Sequence, residues 1–129
     1  MYGSIHRNSY INSPKLLAEG LRPKDLAPVF FAGQLTGVEG YTESIGTGLM
    51  AGLNLHRHLT GRPPAVPPPT TMLGGLFRYL KDADPRHFQP MNANFGLLDP
   101  LPNGVKKDAK RAALAERALA DLDTWAAFL

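Results

Sequence analysis

Apolar positions along this chain recur at two different spacings, and the change between them marks out one short strand and several helices. From Tyr2 to Ile11 the chain reads as extended, with Ile5 and Ile11 as apolar anchors among polar Ser4, His6, Arg7, Asn8 and Ser9. Ser13-Pro14 opens a brief helical turn through Leu16 and Leu17, because proline suits a first helical position, and Gly20 ends it. Val29-Phe30-Phe31-Ala32 is an uninterrupted apolar run. Continuous rather than alternating apolarity predicts a strand buried on both faces, as in a parallel sheet. A helix is predicted from about Thr42 to Leu59, where Ile45, Leu49, Leu53 and His56 recur at helical spacing. His56, on that apolar face, reads as a core histidine. Gly46, Gly48 and Gly52 lie inside this helix, each costing about 1 kcal/mol relative to alanine. The small-residue stripe Gly48, Ala51, Gly52 and Leu55 predicts close approach of a sheet or ligand that offsets this cost.

In the second half, Gly61 and residues 62–69, rich in proline, form a stiff extended connector. Thr70 or Thr71 caps a further helix with Leu73, Leu76, Phe77 and Leu80 on one side, which Asp84-Pro85 breaks. The stretch from Phe88 to Leu98 reads as an irregular loop or edge strand rich in amides and aromatics. A last helix, about Val105 to Phe128, places Ala115, Ala118, Leu122, Trp125 and Leu129 on one face. No internal repeat is visible.

Composition narrows the chemistry. The 129 residues have the length of one ordinary domain, and 43% hydrophobic content is enough for a core. No apolar run approaches the roughly 20 residues of a membrane span. No charged n-region followed by an apolar h-region is seen, so the expectation is a cytoplasmic protein without a membrane partner. The absence of cysteine removes disulfides, thiolate metal sites and thiol nucleophiles together. His56, His58 and His87 show no metal-binding spacing with carboxylates, and no metal is expected. A formal charge of +3 permits an anionic partner.

Three places carry candidate chemistry. The first is the loop from Phe30 to Ser44: a strand, a turn punctuated by Gly33, Gly37 and Gly40, then the acidic first turn of a helix. Its glycine spacing is GxxxGxxG, not the GxGxxG dinucleotide fingerprint, and a purely structural turn is as consistent with it as a ligand site. Tyr41 at the apex favours a ligand, since capping asks for acids such as Glu43 there and not for an aromatic ring. The second place is His6-Arg7-Asn8, where an imidazole, a guanidinium and an amide could recognise a planar heterocycle or a carboxylate, or merely form a polar strand end. The third is Lys106, Lys107, Lys110 and Arg111, whose charges oppose the dipole of the last helix. A nearby phosphate, or simple solvation beside Asp108, would accommodate them.

Three long motifs occur in order: His6-Arg7-Asn8 with Ile11-Asn12-Ser13-Pro14, then Phe30 to Tyr41, then Phe88-Gln89-Pro90-Met91-Asn92-Ala93-Asn94-Phe95-Gly96. Together they closely resemble the C-terminal third of the bacterial folate- and FAD-dependent tRNA (uracil-5-)-methyltransferases. The resemblance implies an α/β fold class: an incomplete C-terminal part of an FAD-binding Rossmann-like domain of glutathione-reductase type, with helices after a short parallel-sheet strand. On that reading residues 1–61 close the FAD-binding domain, 62–69 connect, and 70–129 form a helical region packing on the same domain. The implied activity is methylation of the T-loop uridine of tRNA at C5, with 5,10-methylenetetrahydrofolate and reduced FAD, and NAD(P)H as reductant. Gly33, Gln34, Thr36, Gly37, Val38, Glu39, Gly40 and Tyr41 would line the flavin. His6, Arg7 and Asn8 would hold folate, and Lys106, Lys107, Lys110 and Arg111 would contact tRNA. The family's nucleophilic cysteines and N-terminal glycine-rich fingerprint have no counterpart here. The implied partner is therefore a missing N-terminal part, the chain alone being inactive, with strand 29–32 left as an unpaired, aggregation-prone edge. The related flavoprotein that modifies the wobble uridine shares the Gly-Gln…Gly-Tyr framework and is the alternative, as is a flavin- or tRNA-binding module without chemistry.

Overall fold

A computed structural model describes residues 9–26, 28–102, 106 and 108–129. Among these, the helices are α1 (Ser13–Leu16), α2 (Tyr41–Leu59), α3 (Met72–Asp82) and α4 (Lys110–Ala126). Single 3₁₀ turns lie at Glu19–Leu21, Gly33–Thr36 and Phe95–Leu97. Pro14 starts α1, and the helix stops where Leu17 turns extended. Thr71 caps α3 by accepting a hydrogen bond from the Gly74 amide at 3.0 Å, and Ala83 leaves the helix ahead of Asp84-Pro85.

The core gathers around the inner face of α3. Leu76, Phe77 and Leu80 meet Leu17 and Leu21 from the N-terminal turns, Met50 from α2, and Val38, Ala65 and Phe88 from the connecting segments. Burying one such Leu or Phe stabilises by about 1.5–3 kcal/mol, so these contacts dominate the cohesion of the fold. Phe88 lies between two tyrosines, its ring centroid 5.5 Å from Tyr79 and 6.1 Å from Tyr10. Glu19 pairs with Lys81 at 2.8 Å, which ties the first 3₁₀ turn to α3 and raises the Lys81 ammonium above its ordinary pKa through that hydrogen bond.

Within residues 62–69, Ala65 and Pro67 are buried while both ends of the segment are exposed. Asn54 of α2 holds this strap: its Nδ2 donates to the Ala65 carbonyl at 3.0 Å and its Oδ1 accepts from the Ala65 amide at 2.6 Å. On the other side, α3 approaches so closely that a Cβ on Gly74 would collide with the Pro68 carbonyl.

Several expectations need correction. Residues 29–32 are extended, but no ladder forms among the described residues, so the parallel-sheet strand is absent. The Phe31 amide donates to the Leu21 carbonyl at 2.9 Å, while Val29 is exposed, because the described residues offer no neighbouring strand to pair with it. The fold is mostly helical, with only isolated bridges at Leu17–Pro23 and Val38–Met91. In α2 the inward residues are Thr47, Met50, Ala51 and Asn54, not Ile45 and Leu49, and His56 is exposed rather than in the core. The polar pair Thr47 and Asn54 turns inward because each is satisfied by backbone partners, which no hydrophobic spacing reveals. The last helix starts at Lys110, and its one buried residue is Leu114. Ala115, Ala118 and Leu122 line one apolar groove with Leu73 and Phe95, as expected for a shared face, whereas Leu129 is exposed.

Candidate functional site

The segment Gly33–Tyr41 is a built loop whose backbone is pinned from three directions. Beneath it, the Ile11 amide donates to the Leu35 carbonyl at 2.9 Å, and the Ser13 hydroxyl donates to the Thr36 carbonyl at 2.6 Å. Behind it, the Gly33 amide donates to Thr47 Oγ1 of α2 at 2.9 Å. Beside it runs the Phe88–Gly96 segment: the Met91 amide donates to the Gly37 carbonyl at 3.0 Å, and the Glu39 amide to the Met91 carbonyl at 3.1 Å. The Glu43 carboxylate then accepts from the Ala93 amide at 3.0 Å, which locks the start of α2 to the same segment. The described parts of all three sequence motifs thus converge on one loop.

The loop has an inner and an outer side. Thr36 and Val38 are buried, at 0% and 1% exposure, and Thr36 Oγ1 donates to the Gly33 carbonyl at 2.8 Å. Gln34, Glu39, Gly40 and Tyr41 face outward. Gly37 holds a φ of +87°, and a Cβ there would stand 2.5 Å from Phe88, so glycine is required by both conformation and space. Gly40, at φ +89°, is the N-cap of α2, and no side chain caps that end. The first amides of a helix have no intrahelical partner, so those of α2 remain directed out of its start beside Tyr41. Tyr41 is 91% exposed. An outward ring and uncapped amides suit a carbonyl-rich or anionic ligand with an aromatic face, while the Glu43 carboxylate occupies the side of Gly40 where a Cβ would stand.

The other predicted positions fall elsewhere. His6, Arg7, Asn8 and Lys107 lie outside the described residues. Lys106 precedes α4, while Lys110 and Arg111 form its first turn, all three exposed. Thr47 and Glu43, which set the loop against α2 and Ala93, escaped the sequence reading as site residues. The isolated hydroxyl between Gly46 and Gly48 was the available signal for Thr47. Among the described residues, no group of three or more His, Cys, Asp or Glu is arranged to hold a metal ion. Nor is any described helix long and apolar enough to cross a membrane.

A family profile described as glucose inhibited division protein A matches residues 1–63. The methylenetetrahydrofolate–tRNA-(uracil-5-)-methyltransferase of Geobacter sulfurreducens is 56% identical over 125 residues, covering 97% of this chain and 29% of that protein. The enzyme of the same name from Geotalea daltonii is 54% identical over 95% of this chain and 28% of its own length. That of a Thermus thermophilus strain is 48% identical over 96% and 28% respectively. The resemblance carried by the three motifs is borne out, and the chain spans less than a third of the length of these relatives.

Proposed function

We propose that this chain is the flavin-facing part of a folate- and FAD-dependent tRNA (uracil-5-)-methyltransferase, a cytoplasmic enzyme acting on the T-loop uridine. The observation that carries the proposal is the convergence of Ile11–Pro14, Gly33–Tyr41 and Phe88–Gly96 on one loop, in a chain 56% identical to a methylenetetrahydrofolate–tRNA-(uracil-5-)-methyltransferase. The outer loop fits a flavin: the uncapped α2 amides face its carbonyl or phosphate oxygens, and Tyr41 meets its ring. Thr36 and Val38 support that surface from beneath instead of touching the cofactor. When bound and reduced, ultimately by NAD(P)H, the flavin supplies the reducing equivalents that convert a folate-borne methylene group into a methyl group. The residues of this chain bind and orient. With no cysteine in the chain, attack on the uracil belongs to another part of the protein. His6, Arg7 and Asn8 are proposed to hold the folate ring, and Lys106, Lys107, Lys110 and Arg111 to contact tRNA phosphates.

The outward face of α2 supports the same reading. Tyr41, Ile45 and Leu49 share one helix face and are 91%, 72% and 70% exposed. Gly48 and Gly52 lie on that face with nothing within 4 Å of where a Cβ would stand. The three helix glycines therefore find no close neighbour here except Leu73 beside Gly46. The Rossmann-like sheet proposed for the remaining sequence would pack against this stripe. The test is a chimera in which this chain replaces the matching segment of the Geobacter sulfurreducens enzyme. It is expected to purify with bound flavin and to methylate T-loop uridine. A folded but colourless chimera would overturn the proposal.

A further inference from the structure

A second site lies toward the other end of α2, where Asn54 and His58 stand about 20 and 26 Å along the helix from Tyr41 at 1.5 Å rise per residue. Arg22, Phe30, Asn54, His58, Arg62 and Glu19 line a cleft of about 390 Å³, within the range of small-molecule pockets. Its charges are unequally committed. Glu19 is engaged by Lys81 at 2.8 Å. Neighbouring Arg57 spends its guanidinium on the Pro63 carbonyl at 2.7 Å and the Leu129 carbonyl at 3.3 Å. Arg22 and Arg62, by contrast, have no carboxylate within ion-pair distance among the described residues. Arg22 is half-buried, and its backbone is fixed by the Ala18 amide donating to its carbonyl at 2.7 Å and by the adjoining Leu17–Pro23 bridge.

The remaining walls are of two kinds. Asn54 is fully occupied by Ala65 and forms a rigid floor. Phe30 and His58 stand edge to face, with ring centroids 6.1 Å apart, and give the cleft an aromatic side. Guanidinium forks match phosphate oxygens geometrically, and an aromatic side offers a surface for a base. We propose that this cleft binds a nucleoside monophosphate unit, its phosphate between Arg22 and Arg62 and its base against Phe30 and His58. Such a unit comes either as a free nucleotide or as one residue of an RNA strand. The site is distinct from the flavin-facing loop.

The experiment is an amide-resolved NMR titration of the 129-residue chain with uridine 5′-monophosphate, uridine, inorganic phosphate and a single-stranded oligouridine. The monophosphate is expected to shift Arg22, Phe30, His58 and Arg62 together, more tightly than uridine or inorganic phosphate. Tighter binding of the oligomer with the same residues shifted assigns the site to RNA; no gain per nucleotide assigns it to free nucleotide. Exposed Arg62→Gln, and Arg22→Gln with it, should weaken the monophosphate at least tenfold while the rest of the spectrum is preserved. Shifts scattered over the surface, equal binding of inorganic phosphate, or unchanged affinity in Arg62→Gln would overturn the proposal. None of these outcomes depends on whether the chimera binds flavin.

Discussion

At the scale of single residues, the polar groups that turn inward fix this structure as much as the apolar ones. Asn54 is 1% exposed and satisfies both backbone groups of Ala65. Asn54→Leu keeps the branched shape of the side chain but strands a buried donor and acceptor, each worth about 1–3 kcal/mol. The expected loss is roughly 2–6 kcal/mol in urea unfolding, and a loss below about 1 kcal/mol would contradict the clamp. Thr47→Val leaves the Gly33 amide without its acceptor; its smaller cost, about 1–2 kcal/mol, should come with faster amide exchange at Gly33. Hydrophobic spacing made Ile45 and Leu49 the inner face of α2 because it scores side chains without asking which backbone groups need partners. The glycines of the loop were legible for a local reason: Gly37 and Gly40 hold left-handed φ values beside Phe88 and Glu43.

At the scale of elements, helix existence was legible and helix orientation was not. The ends of α2 and α3 follow from Gly40, Thr71 and Asp84-Pro85, which act within a turn of the chain. The α2 face depends on distant Ala65 and Gly33, beyond the reach of any local pattern. The apolar run 29–32 reads as a strand buried on both faces, but pairing needs a second strand that the described residues do not contain. The open stripe on α2 gives a prediction with two signs. Gly48→Ala should stabilise the isolated chain by up to about 1 kcal/mol, because the position is in open space and alanine favours helix. In the chimera the same change should lower flavin content and unfolding temperature, because the stripe is then covered. Stabilisation in both contexts would mean that nothing docks on this face.

At the scale of the whole molecule, the described parts of three distant motifs meet on a single loop, and that loop presents Tyr41 outward, 91% exposed. Removing Tyr41 should therefore cost the isolated chain almost nothing and matter only where a ligand is bound. Most of this arrangement was foreshadowed by the order of the motifs, while the hydrogen bonds from Ile11, Ser13 and Met91 that assemble them are long-range and visible only in three dimensions. The most direct measurement is flavin fluorescence in the chimera with Tyr41 and with Tyr41→Ala. A tyrosine against the isoalloxazine ring quenches its emission. Tyr41→Ala should brighten the bound flavin and weaken its retention, with the unfolding midpoint of the isolated chain unchanged. Identical flavin content, spectrum and emission in the two proteins would contradict the placement of this loop at the flavin.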